Sequence, residues 1–329
     1  MFGSRIVEWR CKVISCRRGA VLDARSAPIL VFDVGGSHMA VSLFDPPSSN
    51  IGAVRDLRVL PDGDAERFFR TFESLTHITL PAPASPQGIA IAMPSPFDYE
   101  RGISHMRHKF QSLYQLDLRR ELSQRLCCPP GDIHFLNDAA ASLIGEMQHG
   151  GAVDAKRAIG ITLGTGVGSA FAVDGNIVVE GRGVPPGGEI WNQAYRDGAV
   201  EDVISTVAIQ RIFEQLTGKN AEVRDIASSA VHQREAQQTF ERFGTELGKV
   251  LRQTCLAFAP DRIVLGGGIA RAAAHFLAQA REGLADTPTE LLVSELFERA
   301  PLIGAGISWV KRNGGSPRRN NRDHATEQV

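Results

Sequence analysis

Asp138 is the residue best placed to do chemistry, because it stands directly after a short apolar run. Residues Ile133 to Leu136 predict a buried strand, and the small residues after Asp138 predict a helix. In an open α/β sheet, a carboxylate between a strand and a helix faces the crevice where ligands bind. Asp138 could there take a proton from a substrate hydroxyl. Aspartate is also a favoured N-cap residue, so the residues alone leave a purely capping role open.

A glycine-rich turn near residue 33 could bind phosphate. Strand-like residues 29–32 and 39–44 flank Asp33-Val34-Gly35-Gly36-Ser37, and strand, turn, strand predicts a hairpin. Adjacent glycines let a backbone approach a phosphate closely or adopt positive φ. Asp33 stands where a carboxylate could bind Mg²⁺. An ordinary hairpin with a turn aspartate is the alternative.

A second glycine turn contains Gly164, Gly166 and Gly168 and follows the apolar run Ile159 to Leu163. A dinucleotide-binding fingerprint must open a helix, whereas strand-like residues 170–173 follow here. The sequence therefore predicts a second hairpin whose backbone N–H groups can surround phosphate. Its similarity to the turn near residue 33 suggests two similar halves.

Further polar and glycine residues lie later in the chain. A loop over residues 181–192 carries Glu189, and a helix that begins near residue 197 carries Glu201. Gly266, Gly267 and Gly268 follow a predicted strand and start a predicted helix at Ile269. The amino end of such a helix is a natural site for nucleotide atoms.

The composition predicts a globular protein with ample core. The chain has 329 residues, 43% hydrophobic, with no apolar run of 18 residues, so no membrane span is expected. Its net charge is −1, but both ends are basic, which leaves an acidic middle near −8. An acidic body argues against nucleic-acid binding, and the basic ends are expected to be solvated tails. Five cysteines at irregular spacings favour the reducing cytoplasm over a disulfide framework.

Five motifs in order resemble the sugar-kinase branch of the ROK family, within the hexokinase, actin and heat-shock ATPase superfamily. They are DVGGS (33–37), NDAAASLIGE (137–146), GITLGTGVGSAF (160–171), PPGGEIWN (185–192) and VLGGGIA (264–270), and the resemblance spans residues 28–312. It implies an α/β fold of two ribonuclease H-like (actin-like ATPase) domains that flank a central cleft. We expect a smaller domain over 28–138, with helix 301–312 packing back on it, and a larger domain over 139–300. Residues 1–27 are predicted to be an extension of unknown role, and 313–329 a disordered tail.

The resemblance also assigns roles to the motif residues. It implies Asp138 as the catalytic base, Asn137, Glu189 and Glu201 as sugar ligands, and Mg²⁺ with ATP as cofactor and co-substrate, Asp33 being the magnesium ligand. The ATP-binding residues implied are Asp33, Gly35, Gly36, Ser37, Gly164, Thr165, Gly166, Gly168, Gly266, Gly267 and Gly268. We therefore predict an ATP-dependent hexose kinase of the cytoplasm. Its expected partners are sugar, ATP and a second copy of the chain in a homodimer, with no nucleic acid and no membrane. The alternative is a sugar-responsive regulator or N-acetylhexosamine-binding protein.

The chain departs from the family pattern around Glu189. The usual Gly-His after the glutamate reads Trp191-Asn192, and the zinc-binding cysteines are absent from residues 193–201. We therefore expect no zinc, with Trp191 burying apolar surface to hold the loop and Asn192 bonding a sugar hydroxyl instead of the lost imidazole. A Pro-Asn-Leu sugar contact of the family reads His108-Lys109-Phe110, and His108 and Lys109 are expected to be solvated.

Overall fold

The computed structural model of this protein describes residues 27–80, 85–107 and 109–314. Most of the predicted extension and tail lies outside these residues. Among the described residues, no helix is both long and apolar enough to cross a membrane.

The first lobe is built around continuous apolar strands that are buried on both faces, as expected for the centre of a covered sheet. The strand order is β3-β2-β1-β5-β8, with β4 also pairing with β2; β2 is antiparallel to β1, whereas β5 and β8 run parallel to it. The elements are β1 (Ile29–Val34), β2 (His38–Asp45), β3 (Asn50–Ile51), β4 (Arg55–Arg58), α1 (Ala65–Thr79), β5 (Ile89–Met93), β6 (Phe97–Asp98), β7 (Ile103–Ser104), α2 (Leu118–Arg125), β8 (Ile133–Asn137) and α3 (Asp138–His149), with 3-10 helices at Gln111–Leu113 and Pro130–Asp132.

Helix α1 covers one face of this sheet. The predicted helical spacing of Phe68, Phe69 and Phe72 places all three rings in the core, and the Phe72 ring centroid lies 4.7 Å from that of Phe32 on β1. Asp64 caps the helix by accepting a hydrogen bond from the backbone N–H of Arg67 at 2.7 Å.

The second lobe repeats the arrangement of the first. Its strand order is β11-β10-β9-β14-β15; β10 is antiparallel to β9, and β14 and β15 run parallel. The elements are β9 (Arg157–Leu163), β10 (Val167–Val173), β11 (Asn176–Val178), β12 (Ala194–Tyr195), β13 (Gly198–Ala199), α4 (Glu201–Ile204), α5 (Thr206–Thr217), α6 (Val223–Ser229), α7 (Arg234–Phe258), β14 (Arg262–Gly266), α8 (Leu277–Glu282), β15 (Glu290–Val293) and α9 (Arg299–Arg312), with 3-10 helices at Pro186–Gly188 and Ile269–His275. The two similar halves predicted from the glycine turns are present.

Helices α3 and α9 meet backbone to backbone. A β-carbon on Gly304 of α9 would collide with the carbonyl oxygen of Ala141 on α3, and one on Gly145 would collide with that of Ala300. Helix α9 also packs on β1 and β5 of the first sheet, although it follows the second lobe in sequence. The domain boundaries expected near residues 138 and 300 stay a prediction.

A buried carboxyl group fixes the other end of α3. Glu146 accepts hydrogen bonds from the Ser294 hydroxyl and from the backbone N–H of Gly151, the latter at 2.9 Å. Burial raises the pKa of Glu146. These bonds tie α3 to the connection between β15 and α9.

Candidate active site

The residues singled out from sequence gather at the carboxyl ends of the parallel strands. In the first sheet Asp33 pairs with Ala92, and Met93 pairs with Asn137, so the ends of β1, β5 and β8 are neighbours. In the second sheet Gly266 pairs with Thr162, which sets its glycine turn beside the turn that begins at Gly164. Each sheet thus presents its loops at the edge where open α/β sheets bind ligands.

Asp138 is the first residue of α3, and its neighbour provides the cap. The Asn137 side-chain oxygen accepts a hydrogen bond from the backbone N–H of Ala140 at 2.9 Å, so the alternative role of Asp138 as N-cap is wrong. The Asp138 side chain accepts a hydrogen bond from the adjacent Ala139 N–H at 2.9 Å. Burial raises the pKa of Asp138, while Lys109 opposes the rise. A carboxylate with a raised pKa suits proton transfer near neutral pH.

Tyr99 orients Asn137 and was missed by sequence reasoning. Its hydroxyl donates to the carbonyl oxygen of Met93 at 3.2 Å and accepts from the Asn137 side-chain amide at 3.2 Å. Burial raises the pKa of Tyr99, with Asp138 adding to the rise. The position of Tyr99 in the sequence could have indicated this role, because a residue shortly after the end of β5 lies at the same sheet edge as Asn137.

The surroundings of Asp33 disfavour the ionised form of its carboxyl group. Burial, together with the nearby Asp138 carboxylate, raises its pKa from 3.8 to about 7. A bound cation would stabilise the ionised form. Among the described residues no three His, Cys, Asp or Glu side chains are grouped to hold a metal ion. Mg²⁺ is usually held by one or two carboxylates together with substrate phosphates and water, so Asp33 fits such a role.

The first glycine turn is open to the crevice. The Gly35 N–H donates to the His38 carbonyl oxygen at 2.9 Å and closes the predicted hairpin. Gly36 and Ser37 are exposed, and a β-carbon on Gly36 would have no neighbouring atom within 4 Å. Gly36 therefore leaves space next to Asp33 that the protein itself does not fill.

The second glycine turn is closed by Glu201. Gly164 donates to the Gly166 carbonyl oxygen at 3.0 Å, and Thr165 and Gly166 are exposed at the tip. Glu201 accepts a hydrogen bond from the Val167 N–H at 2.8 Å. Its predicted sugar-binding role stays a prediction, and the structure adds that the same carboxylate bonds to the backbone of the second glycine hairpin.

The third glycine segment differs from the prediction. Gly267 adopts a φ of 82°, and a β-carbon there would lie 2.8 Å from the Leu163 nitrogen, so glycine is required for packing against β9. The helix expected from Ile269 is the 3-10 helix Ile269–His275, in which three residues per turn replace the α-helical geometry. Gly268 has open space where a β-carbon would be, and its predicted contact with nucleotide atoms stays a prediction.

The loop that carries Glu189 is fixed from beneath by Ser169. The buried Ser169 hydroxyl donates to the Gly188 carbonyl oxygen at 2.7 Å and accepts from the Ile190 N–H at 2.9 Å, so both neighbours of Glu189 are held. Glu189 raises the pKa of Asp138, which places its carboxylate on the side of the predicted base. Asn192 is exposed.

The expected burial of Trp191 is wrong. Its side chain is 38% exposed, and Ile190 is the residue that enters the core. The Trp191 indole N–H instead donates to Glu189 Oε2 at 2.8 Å. Neighbouring side chains of an extended segment point to opposite sides, so burial of Ile190 turns Trp191 outwards.

Where related proteins are expected to bind zinc, this chain forms the β12–β13 hairpin. Residues 193–201 contain no cysteine or histidine, so the donor set does not fit zinc. Tyr195 is buried, and its hydroxyl donates to Glu246 of α7 at 3.0 Å. Arg196 also pairs with Glu246, at 2.7 Å. Sequence reasoning missed this anchor, because Glu246 lies far along the chain.

Lys109 faces the site, contrary to the expected solvated position. It is half-buried, and its ammonium group is the principal influence that lowers the pKa of Asp138. The next residue, Phe110, is buried with its ring centroid 5.4 Å from that of Phe68, which fixes the segment to the core. His108 lies outside the described residues.

The two repeated sheets, each of which contains a glycine hairpin, define a protein of the actin-like ATPase fold, as predicted. The ROK family model matches residues 29–312, and the chain belongs to the ROK family. The resemblance stated from the motifs is thereby confirmed.

Known proteins agree with this assignment. A glucokinase of Thermotoga maritima is 27% identical over 315 residues, which cover 86% of this chain and 97% of that protein. The ROK family glucokinase of Streptomyces griseus, solved with glucose and AMPPNP, has a TM-score of 0.73 at 19% identity, with 85% and 98% of the two chains covered. A ROK family transcriptional regulator, a homologue of the E. coli MLC protein, has a TM-score of 0.68 at 18% identity, with 86% and 78% covered.

Proposed function

We propose that this ATP-dependent sugar kinase transfers the γ-phosphate of ATP to a hexose hydroxyl, with Asp138 as general base. The observation that carries the proposal is the Asp138 carboxylate, which lies at the cleft with a raised pKa while Asn137 caps the helix. The likeness to a glucokinase makes glucose the first candidate substrate. The irregular spacing of the five cysteines favours a cytoplasmic setting.

The proposed reaction is an in-line displacement. The sugar hydroxyl oxygen forms a bond to the γ-phosphorus, the bond from that phosphorus to the β–γ bridging oxygen breaks, and ADP leaves with the electron pair. The hydroxyl proton passes to a carboxylate oxygen of Asp138. Backbone N–H groups of the two glycine hairpins hold the phosphates. Mg²⁺ held at Asp33 would neutralise phosphate charge.

The sugar would be held on the opposite side of Asp138 from the phosphates. Asn137 offers its amide to a hydroxyl, in an orientation set by Tyr99. Glu189 and Glu201 offer carboxylate oxygens, and the exposed Asn192 offers a further amide. Positioning by these groups supplies much of the rate in phosphoryl transfer, because the chemistry needs little covalent help.

The test is a panel of hexoses and N-acetylhexosamines with Mg-ATP, followed by sugar-dependent ADP release. Asp138→Asn should lower kcat by about 10²-fold or more, because the amide cannot accept the proton. Calorimetry should show retained ATP binding, and Asp225→Asn, at an exposed position on α6, is the matched control. Sugar binding by the wild type without ADP release would instead support the regulatory or binding alternative.

A further inference from the structure

Trp191 lies between the two glutamates of the proposed sugar site and bonds to both segments that carry them. We propose that Trp191 is a positioning residue, which holds one oxygen of Glu189 so that the other is presented to a sugar hydroxyl. This inference rests on the proposed function, because it assigns Glu189 to the sugar. It is specific to this chain, in which an indole N–H is available after the glutamate.

The side chain of Trp191 makes one directed bond. The indole N–H is its single donor, and it reaches Glu189 Oε2 at 2.8 Å while 38% of the side chain stays exposed. A hydrogen bond to an ionised carboxylate is stronger than one between neutral groups. With Oε2 engaged, Oε1 of Glu189 is left to accept a hydroxyl from a ligand.

The bond from Trp191 acts against an electrostatic repulsion between Glu189 and Asp138. Glu189 and Asp138 are close enough for Glu189 to disfavour ionisation of Asp138. Glu189 is only half-buried, so repulsion would favour rotamers that carry its carboxylate away from the cleft into water. The indole N–H opposes this movement, because it stabilises the negative charge where the sugar would meet it.

The main chain of Trp191 fixes the second glutamate. Its carbonyl oxygen accepts the N–H of Glu201, the first residue of α4, at 3.0 Å. Glu201 in turn accepts from Val167 of the phosphate hairpin at 2.8 Å. One series of hydrogen bonds therefore runs from the Glu189 carboxylate through Trp191 and Glu201 to that hairpin.

The test is Trp191→Phe, which keeps an aromatic ring and removes the N–H. The sugar KM should rise by about tenfold, as expected for losing a hydrogen bond to a charged group, while the ATP KM stays within about twofold. In a Glu189→Gln background, the same substitution should have little further effect, because the charged acceptor is already gone. A wild-type sugar KM in Trp191→Phe, or an undiminished penalty in the double variant, would overturn the proposal.

Fluorescence separates this proposal from the proposed function. Sugar binding should change the tryptophan emission of the wild type, and the change should persist in Trp309→Phe and vanish in Trp191→Phe at saturating sugar. Absence of kinase activity in the wild type would refute the proposed function alone, since this sugar titration needs no turnover. A change that is lost in Trp309→Phe and kept in Trp191→Phe would show that the sugar does not reach Trp191, and would refute the positioning role alone.

Discussion

The two glycine hairpins have similar sequences but different surroundings. In the first, a β-carbon on Gly36 would meet nothing within 4 Å, and one on Gly35 would meet only the His38 carbonyl oxygen at 3.3 Å. In the second, a β-carbon on Gly166 would lie 2.7 Å from Glu201 Oε2, and one on Gly168 would lie 3.2 Å from the Ala139 β-carbon and collide with the Thr162 hydroxyl. The protein's own packing thus opposes a β-carbon at Gly166 and Gly168 of the second hairpin, whereas a β-carbon at Gly36 would enter open space.

The hairpins also differ in how they obtain negative charge. The first contains its own carboxylate, Asp33, whereas the second bonds through the Val167 N–H to Glu201 from a separate helix. None of Gly35, Gly36, Gly164, Gly166 and Gly168 has positive φ, so the strained-turn explanation for these glycines is wrong. Close approach, either by phosphate or by the protein itself, is the remaining reason for glycine.

Alanine substitutions at Gly168 and Gly36 should distinguish close approach by the protein from close approach by phosphate. We expect these two substitutions to have the largest effects. Gly168→Ala should destabilise the fold by about 1–3 kcal/mol through overpacking, measured as a lower Tm. Gly36→Ala should keep the wild-type Tm and raise the ATP KM by about tenfold or more, equivalent to about 1.4 kcal/mol of binding. A Gly36→Ala variant with a much lower Tm, or with unchanged ATP affinity, would contradict the comparison.

Asp33→Asn tests the charge that belongs to the first hairpin. The pKa of Asp33 is raised from 3.8 to about 7 in the folded state, so folding favours the protonated form. The contribution of Asp33 to the free energy of unfolding is therefore complete below pH 3.8, and it is lost as the pH rises through about 7. In the absence of Mg²⁺, Asp33→Asn should therefore melt above the wild type at pH 8, with the difference shrinking towards pH 4.

The Asp33→Asn substitution should lower kinase activity, although it should stabilise the fold at pH 8. Asp33→Asn should lose activity by about 10²-fold, because a neutral amide is a poor Mg²⁺ ligand. The Mg²⁺ concentration needed by the wild type should rise as the pH falls below about 7, since protonated Asp33 cannot bind the metal. A variant that melts like the wild type at every pH would show that ionisation of Asp33 does not destabilise the fold.

Lys109→Met should have a smaller effect, through Asp138 between the hairpins. The ammonium group lowers the pKa of Asp138, so its removal should move the acid limb of kcat/KM to higher pH. At pH 7 activity should fall by about three- to tenfold, with Lys109→Arg retaining most of it. Lys219→Met, at an exposed position, is the control, and an acid limb that does not move would exclude this role.

Zinc removal should have the smallest effect of all. We predict no stoichiometric zinc in the purified protein, and no loss of activity or Tm with a zinc-selective chelator in excess Mg²⁺. Tyr195→Phe should lower stability by about 1 kcal/mol, because it removes the bond to Glu246. One tightly held zinc per chain, required for activity, would show that other residues hold the metal.

Local sequence was sufficient wherever a motif and its structure occupy one continuous segment. The hairpins at Asp33 and Gly164 follow from apolar runs on both sides of glycine, and the buried face of α7 follows from helical spacing. Asp138 was predicted at the correct sheet edge for the same reason. Its rival capping role could not be dismissed, because Asn137 and Asp138 are adjacent and both are favoured caps.

Residues whose placement depends on distant partners were mistaken or missed. Lys109 faces Asp138 because Phe110 packs against Phe68, and no short-range pattern indicates that contact. Tyr195 is anchored by Glu246, 51 residues away. Trp191 carries enough apolar surface to suggest burial, and only the position of Glu189 shows why it remains exposed.

The crossing of α3 and α9 determines how precisely Asp138 is placed. Because Gly145 and Gly304 bring backbone against backbone, the spacing between these helices does not depend on any side-chain rotamer. Asp138 begins α3, so its Cα inherits that spacing relative to the sheet on which α9 packs. One added methyl group at Gly304 would therefore collide with the Ala141 carbonyl oxygen and push α3, with Asp138 at its start, away from α9.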